Sequence, residues 1–318
     1  MRDLALCDHD TMDANTTPTI NLTSGLMLLA LAAVWGGSFF FAEIALREVP
    51  PLTITLHRVF WAVPFLLAVV WWKGIALPRS PKTWLCYGVM GALNNVIPFS
   101  LIFWGQTQIE GGLASILNGT TAVFGAVVAG LLLKDEPLTP RKIVGAIFGV
   151  IGVGVIMGPD ALTNYDPRNL AQLAILGAAL SYAFAGVWAK RTLAGQPPLM
   201  NALGMLVGST VLMVPIVLWV DDVPSLELSS GIWASLLALA ALSTSLAYLL
   251  YFAILVRAGS ANLMLVTLMI PPFSVGLGVA FLGERLGPEA WAGFALIALG
   301  LVVTDGRLLR KFHRSRVA

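Results

Sequence analysis

Long apolar segments constrain this chain more than any other feature of its sequence. A helix needs roughly 20 predominantly apolar residues to cross the hydrocarbon core of a bilayer. Ten segments of the chain meet that requirement, and turn-forming pairs such as Pro50-Pro51 separate them. They are too long and too uniformly apolar for the strands of a barrel, so we predict an all-α integral membrane protein. The predicted spans are 22–42, 52–72, 84–105, 111–133, 141–158, 170–189, 199–219, 231–254, 260–282 and 288–305.

The composition supports a membrane location. Hydrophobic residues make up 58% of the chain and charged residues 11%, compared with about 45–50% and 25% in soluble domains. Cys7 lies in a polar segment and Cys86 in an apolar one, so we predict neither a disulfide nor a metal site. Segment 1–21 contains four aspartates and lacks the basic start and short apolar core of a cleaved signal. The first span is therefore expected to stay in the protein.

Lysine and arginine are unevenly distributed between the two sides of the predicted topology. The odd-numbered connections carry only Arg47, Arg168 and Arg285, whereas the even-numbered connections and the two ends hold nearly all the others. The positive-inside rule then places both termini in the cytoplasm, which we take to be that of a bacterium with the chain in its inner membrane. We predict a cytoplasmic tail at 1–21 and a basic cytoplasmic tail at 307–318 that lies near anionic lipid.

The chain also contains an internal repeat. Residues 132–158 align with 280–306, which places Glu136 against Glu284. The alignment predicts two five-helix units, at 22–158 and 170–306, joined by a linker at 159–169.

Five helices per unit is an odd number, so the two units must have opposite orientations in the membrane. The charges agree with this inversion. Connection 73–83 of the first unit is basic, whereas its counterpart beginning at Asp221 contains acidic residues and neither Lys nor Arg.

Four motifs of this repeat resemble a known family. They are WGGSFF in span one, PPLTITLHRVFWA at the start of span two, Glu136 after the apolar span four, and GAIFGVIGVGVIMG in span five. Together they resemble the EamA repeat of the drug/metabolite transporter superfamily, over residues 24–158 and again over 170–306. The resemblance implies ten helices in two inverted repeats around a central cavity, with helices five and ten at the periphery. It also implies export of amino acids, other metabolites or toxic compounds.

The chain departs from the family pattern in span four. Members of the family often carry a proline in helix four as well as in helix nine. Pro271-Pro272 retains it in span nine, but Val123 stands at the aligned position of span four. We therefore expect a proline kink in the second copy, with no such signal in the first.

An inverted repeat gives a transporter a physical mechanism. Two units related by an axis in the membrane plane can exchange conformations and expose a central site to each side in turn. We therefore predict a secondary transporter that exports small metabolites, amino acids among them, across the inner membrane. A multidrug or toxic-compound efflux transporter and a metabolite importer are alternative interpretations. The predicted partners are a small-molecule substrate and the lipid bilayer, with the chain acting as a monomer or a homodimer.

The sequence carries no motif of an ATP-driven pump or of a membrane enzyme. No glycine-rich loop is followed by Lys and Ser or Thr, so ATP is not expected to drive transport. HExxH and CxxC motifs are also absent, and no pair of carboxylates lies within a span. We predict no enzymatic activity, no catalytic residue, no metal and no cofactor, and the net charge of +2 gives no reason to expect a nucleic-acid partner.

Two ionisable side chains lie clearly inside a predicted span. A charge at the centre of a membrane helix costs about 2.5–3.5 kcal/mol on insertion scales, so Arg58 and its neighbour His57 need an explanation. Arg58 is predicted to face the cavity and bind a substrate carboxylate, because a guanidinium suits planar, bidentate partners. In the alternative interpretation it reaches the outer interface or pairs with Glu43 or Glu284. For His57 we favour an interfacial role.

Further candidates are polar or aromatic and lie deep in the spans. Asn95 aligns with Ser243, so both copies place a hydrogen-bonding group at the same depth. For the serines, back-bonding within the helix is the alternative. Besides Arg58, the predicted cavity residues are Trp35, Ser38, Asn94, Asn95, Asn118, Tyr182, Ser243 and Tyr248.

Glu136 and Glu284 each follow the fourth helix of their copy. Such residues can act as gates or as proton-coupling groups, or they can have a structural role, in which each caps the start of the next helix or anchors the turn. Their presence in both copies, on opposite faces, favours the structural role. The small-residue spacing of 145–149 in span five allows close helix packing, within the monomer by preference and in a dimer face as the alternative.

Overall fold

The computed structural model describes residues 21–158 and 166–305. Within these ranges the chain forms helices and turns without a strand, which confirms the all-α prediction. The α-helices are α1 (Leu22–Ala45), α2 (Pro51–Trp72), α3 (Pro81–Gly91), α4 (Ile97–Gly105), α5 (Gly111–Asn118), α6 (Thr121–Leu132), α7 (Pro140–Met157), α8 (Pro167–Thr192), α9 (Pro198–Val220), α10 (Ser230–Ala240), α11 (Ala247–Leu263), α12 (Val266–Leu277) and α13 (Pro288–Asp305). Three short π-helical segments are π1 (Ala92–Val96), π2 (Ala241–Leu246) and π3 (Gly278–Leu282).

Nine stretches of helix in these described ranges are long and apolar enough to cross a membrane. The predicted start of span 260–282 coincides with a break in the helix at Gly259. Gly259, inside α11, has non-helical backbone angles (φ 78°, ψ 166°), which separate two helices at that point. Only a shorter apolar helix, Val266–Leu282, remains for the ninth span.

The predicted tails and linker fall mostly beyond the described ranges. The tail at 307–318 lies outside them, as does the tail at 1–21 apart from Asn21. Most of the linker at 159–169 is also outside. The domain boundaries therefore stay predictions.

The helices begin where the sequence breaks predict, and the reason is local chemistry. Proline has its φ angle pre-set for a helix and lacks the N–H group that would have no partner in the first turn. Side chains cap other orphan N–H groups: Asn21 Oδ1 accepts from the Ser24 amide at 2.8 Å, and Asp166 Oδ1 accepts from the Arg168 amide at 2.8 Å. Helices begin at Pro51, Pro81, Pro140, Pro167, Pro198 and Pro288.

Helices of opposite copies pack against one another. α2 packs on α9, α1 on α12, and α4 on α8. The fifth helices of the two copies, α7 and α13, also pair. A Cβ atom at Gly152 would lie only 2.8 Å from the carbonyl oxygen of Gly293, so glycine permits this approach. The glycine spacing of span five thus serves a contact within the monomer.

Two π-helical segments interrupt the third and eighth spans at equivalent depth. Asn95 lies in π1 and the aligned Ser243 lies in π2. A π-helical turn inserts an extra residue into the helix, and such turns are frequent at functional sites. Span four is also interrupted, at Gly119-Thr120 between α5 and α6, although it lacks a proline there.

Candidate functional site

Arg58 lies where the second span meets π2 of the other copy. Its side chain is buried, with 6% of the residue exposed. Nε donates to Thr244 Oγ1 at 3.0 Å, and Nη2 donates to the carbonyl oxygen of Ser243 at 3.3 Å. The guanidinium carbon stands 3.8 Å from the centre of the Phe99 ring, a cation–π contact with α4. Three elements therefore hold this one cation: α2, α4 and π2.

Arg58 has no acidic partner in the described part of the chain, where every ion pair involves other residues. It neither extends to an interface nor pairs with Glu43 or Glu284. A guanidinium has five N–H donors, and its bonds to Thr244 and Ser243 leave donors available for a further acceptor. Tyr182 and Tyr248 lie within electrostatic range of the charge. The arrangement suits a planar anion that arrives from outside the chain.

An amide network lies on the other side of the same region. Asn94 Nδ2 donates to the Tyr248 hydroxyl at 3.2 Å, and that hydroxyl donates to Asn95 Oδ1 at 3.3 Å. Asn95 Nδ2 donates to Ser209 Oγ at 2.8 Å. Asn94 Nδ2 also lies 3.7 Å from the sulfur of Met205. The network joins π1 to α9 and α11, and thus one copy to the other.

The remaining predicted residues lie in different surroundings. Ser38 donates to the carbonyl oxygen of Trp35 at 2.6 Å, which is back-bonding within α1. The Trp35 ring lies 6.0 Å from the Tyr251 ring. Ser243 Oγ donates to a backbone carbonyl of α1 at 3.0 Å and so ties α1 to π2. The Oδ1 atom of Asn118 is buried without a hydrogen-bond partner among the described residues.

The structure thus brings Arg58, Ser243, Asn94, Asn95, Tyr182 and Tyr248 to one region between the copies. It leaves Ser38 bonded within its own helix and Asn118 Oδ1 without a hydrogen-bond partner among the described residues. A binding role for each of these residues stays a prediction.

Sequence reasoning missed three residues of the cluster: Phe99, Ser209 and Met205. One signal was available, because Met205 aligns with Arg58 when the two copies are compared. The Phe99 contact had no signal in the sequence.

Glu284 binds a helix start of the other copy. Its two carboxylate oxygens accept hydrogen bonds from the amides of Gly111 and Gly112 at 3.1 and 3.0 Å. The expectation that it caps the following helix is therefore wrong, because the carboxylate caps α5 instead. Burial raises the pKa of the Glu284 carboxyl, as does nearby Glu110, although the two amides act in the opposite direction. We call this end of the molecule the Glu284 face.

Glu136 has a different partner at the opposite end, which we call the Glu136 face. Lys190 Nζ donates to Glu136 Oε1 at 2.6 Å and also lies 2.6 Å from Asp135 Oδ2. Lys142 Nζ donates to the backbone carbonyl of Glu136 at 3.3 Å. This glutamate therefore anchors the turn after span four to α8, and it also does not cap the following helix.

A cavity of about 650 Å³ opens at the Glu284 face. Gln106 lies at its wall, 4% exposed, and its Nε2 donates to Glu43 Oε2 at 3.1 Å and to the carbonyl oxygen of Phe39 at 2.9 Å. The charged residues around the cavity are Glu43, Arg47, Glu110, Glu284 and Arg285. Charges of both signs face this space, so it does not select one sign of solute.

Comparison with known proteins gives a consistent result along nearly the whole chain. The profile of the EamA-like transporter family matches residues 23–158 and again 169–304. An uncharacterized transporter of Archaeoglobus fulgidus is 27% identical and covers 91% of this chain and 99% of its own length. A probable amino-acid metabolite efflux pump of Salmonella typhimurium is 25% identical over 88% of this chain and 93% of its own length. A solved crystal structure with 20% identity superposes with a TM-score of 0.65, over 91% of this chain and 98% of that one, which shows a shared fold.

Proposed function

The chain belongs to the EamA-like transporter family and is a multi-pass membrane transporter of the drug/metabolite transporter superfamily, and from that premise we propose that it exports small carboxylate-bearing metabolites. Amino acids are the leading class. Export would proceed by alternating access between the two copies, across the inner membrane of a bacterium, with both termini in the cytoplasm.

One observation carries the substrate proposal: Arg58 is a buried cation between the copies without an acidic partner in the described chain. A buried charge is costly unless it is paired, so the site gains free energy when an anion binds. A carboxylate offers the planar pair of acceptors that a guanidinium prefers. The ring of Phe99 covers the guanidinium on one side and orients it.

The neighbours of Arg58 favour a zwitterion over a cation. The amides and hydroxyls of Asn94, Asn95 and Tyr248 offer neutral oxygen atoms that can accept from an ammonium group. Neither this network nor the Arg58 contacts include a carboxylate, so a purely cationic drug would meet only repulsion from Arg58. This electrostatic difference is our reason for placing multidrug efflux second.

An inverted repeat is nearly symmetric, so the proposed direction of transport is drawn from a relative. Support for export comes from the relative in Salmonella typhimurium that is named as a probable amino-acid metabolite efflux pump. We propose facilitated efflux or exchange, because the cluster around Arg58 contains no acidic residue that would relay a proton.

The test is a metabolite profile of the growth medium from cells that express the wild type, Arg58→Met or no transporter. We expect several amino-acid or organic-acid metabolites to rise in the medium with the wild type and to return to the background level with Arg58→Met. Size-exclusion chromatography of both purified proteins checks that the variant folds.

Two outcomes would contradict the proposal. Faster depletion of a metabolite from the medium by the wild type would identify an importer. An unchanged profile together with resistance to unrelated cationic compounds would identify a multidrug transporter.

A further inference from the structure

A groove of about 350 Å³ lies between α6 and α7, next to the turn at the Glu136 face. Its walls are Val127 of α6, Leu138 of the turn that joins the two helices, and one face of α7 from Ile143 to Ile151. Every side chain that lines the groove is apolar. Residues of the α7 wall are exposed, Val150 by 66%, so the groove is open to the surrounding bilayer.

Two close contacts between α6 and the chain that follows it bound this groove. Leu138 packs on Gly130, where an added Cβ atom would lie 3.0 Å from the leucine side chain. Further along α7, Gly149 packs on Val123, and an added Cβ atom would again lie 3.0 Å from the neighbouring side chain. Between these contacts the wall of α7 contains the short side chain of Ala146, which leaves the space open.

The internal repeat shows that a larger side chain fits at this position of the fold. Phe294 of α13 aligns with Ala146, and its side chain packs against the buried core. The backbone of the repeat therefore accommodates a phenylalanine at the position where the first copy has alanine. The alanine leaves room for apolar atoms that come from outside the chain.

A lipid acyl chain suits this groove better than a helix of a second copy. Helices associate closely in a membrane where small residues lie at the interface. The glycines of α7 already face neighbours within the monomer: Gly145 and Gly152 face α13, and Gly149 faces α6. The groove wall is built mainly from branched residues, among them Ile143 and Ile147. A flexible acyl chain can follow such a surface and gain dispersion contacts along it.

Two lysines lie beside the end of the groove at the Glu136 face. Lys142 Nζ donates to the carbonyl oxygens of Glu136 and Pro137 at 3.3 and 3.1 Å, so its ammonium lies in the turn directly before Leu138. An ammonium has three N–H donors, and one of them remains for a further acceptor. Lys134 is exposed in the same turn.

The acidic side chains of this turn do not pair with these two lysines. Asp135 and Glu136 both bind Lys190, at 2.6 Å each. Within the described ranges neither Lys134 nor Lys142 forms an ion pair. Both positive charges are therefore available to an anion.

The lysines and the open groove occur together in one copy. Leu282 aligns with Lys134 and Ala290 aligns with Lys142, so the second copy has neither lysine. The turn of the first copy is also the one predicted to lie on the cytoplasmic side, where anionic lipids give the membrane surface a negative potential.

We propose that this groove binds one anionic phospholipid, with an acyl chain between α6 and α7 and the headgroup phosphate at Lys134 and Lys142. The phosphate accepts charge-assisted hydrogen bonds from the ammonium groups. Basic pockets between membrane helices on the cytoplasmic side are suited to such headgroups. The inference goes beyond the proposed function and does not depend on the substrate or on the direction of transport.

The measurement is native mass spectrometry of the purified full chain in detergent, titrated with phosphatidylglycerol or with phosphatidylcholine of the same acyl chains. The first lipid is anionic and the second has no net charge. The wild type should bind one phosphatidylglycerol about 30-fold more tightly than one phosphatidylcholine, since each lysine should contribute about fivefold.

The headgroup contacts are tested by removing one charge at a time. Lys134→Gln and Lys142→Gln should each lower the preference for phosphatidylglycerol by about fivefold. Arg141→Gln is the matched control, because Arg141 is an exposed cation in the first turn of α7. It precedes Ile143 by two residues, which places it roughly 200° around the helix from the start of the groove face. This control should leave the preference unchanged.

The acyl-chain contacts are tested by filling the groove. Ala146→Phe introduces the residue that the second copy has at the aligned position, and it should weaken binding of both lipids by about tenfold. Val155→Phe is the control, since it adds the same ring to α7 at a 36% exposed position outside the groove. Ala146→Leu replaces Ala146→Phe if circular dichroism shows that the phenylalanine variant does not fold.

Four outcomes would contradict the proposal. Equal affinity of the wild type for the two lipids would remove the headgroup site. Equal losses in Arg141→Gln and Lys142→Gln would mean that a basic surface attracts lipid without a defined site. Unchanged lipid binding in the variants of Ala146 would exclude the groove. A dimer that dissociates in those variants would identify a second copy as the occupant. The metabolite profile with Arg58→Met tests the proposed function separately, so either proposal can fail alone.

Discussion

Two helix crossings are related by the internal repeat and yet carry different chemistry. In one, α2 crosses π2 and Arg58 binds Thr244 and the Ser243 carbonyl. In the other, α9 crosses π1, and Met205, which aligns with Arg58, lies 3.7 Å from Asn94 Nδ2. Duplication has preserved the backbone frame, including the π-helical segment in each copy. The charge is present in only one copy.

This difference shows that the repeat determines the backbone of both crossings but not the side chains that line them. A substrate bound between the copies would meet a guanidinium on one side and neutral amides and hydroxyls on the other. Such an asymmetric site would hold a polar molecule in one orientation, although the protein around it is nearly symmetric. A test of the comparison must therefore change one crossing and use the other as its control.

The largest effect is expected when the charge of Arg58 is removed. Arg58→Met should weaken binding of an amino-acid substrate by roughly 30-fold or more, because a lost partner of a buried charge pair typically costs at least 2 kcal/mol. Met205→Leu changes the equivalent residue of the other crossing and should alter binding by less than about threefold, because volume-conserving apolar swaps are tolerated best. Binding can be measured by the rise in thermal stability of the purified protein as substrate is added.

A carboxamide analogue of the same substrate makes this test specific to the carboxylate. The wild type should bind the analogue as weakly as Arg58→Met binds the acid. Equal binding of acid and carboxamide by the wild type would remove the assigned role of Arg58. Restored binding in the double variant Arg58→Met, Met205→Arg would show that the two crossings are interchangeable, contrary to our expectation.

The second-largest effect is expected on stability, from a change in packing at the crossing of α9 and π1, which lacks the charge. Gly204, beside Met205, faces the Tyr87 ring so closely that an added Cβ atom would clash with it. Gly204→Ala should therefore lower the free energy of unfolding by about 1–3 kcal/mol, as overpacking does. Gly154→Ala on α7 is the control, since no atom lies within 4 Å of its added Cβ. It should be neutral or stabilising by roughly 0.5–1 kcal/mol, because alanine is the better helix former.

Thermal unfolding in detergent, followed by circular dichroism, compares these two glycine variants. Opposite signs of the change in melting temperature would confirm that the crossing is closely packed. A loss of stability in both variants would mean that helix propensity and local packing do not decide the outcome.

Sequence alone predicted the helical spans, the inverted repeat and the depth of the polar residues well, because these depend on periodic composition and on proline. Pro51 and Pro198 mark helix starts in both copies. The break before span nine was also predicted, since Gly259, whose non-helical angles separate two helices, lies between the predicted spans 231–254 and 260–282.

Contacts between the copies were the part that the sequence could not provide. Glu284 binds amides of residues more than 170 positions away, and backbone amides have no signature in a sequence. The contact of Arg58 with Phe99 likewise depends on how α2 and α4 pack. The π-helical segments also went unpredicted, since only the extra residue in each turn distinguishes them from the α-helices that flank them.

The smallest effect is expected in the pH dependence of stability. It should have opposite signs for the turn that contains Glu284 and the turn that contains Asp135 and Glu136. Burial raises the pKa of Glu284 above 4.5, so its contribution to stability is full below that pH and is lost as the pH rises through the raised value. Asp135, in the other turn, has its pKa lowered below 3.8, with its hydrogen bond from Lys190 as the main cause. Its contribution is present above pH 3.8 and is lost as the pH falls.

The two turns should therefore respond to pH in opposite directions, and paired variants isolate each response. From pH 4.5 to 7.5, the melting temperature of the wild type should fall by about 1–3 °C relative to Glu284→Gln. From pH 3 to 4.5, it should rise relative to Asp135→Asn, by less, because Asp135 is exposed and solvent screens its pairing with Lys190. The slope is the informative quantity, since each variant also loses hydrogen bonds that shift its stability at every pH. Slopes of the same sign in the two comparisons would mean that Glu284 and Asp135 share one electrostatic environment. The amide-bound Glu284 turn and the lysine-bound Asp135 turn would then not differ in their electrostatics.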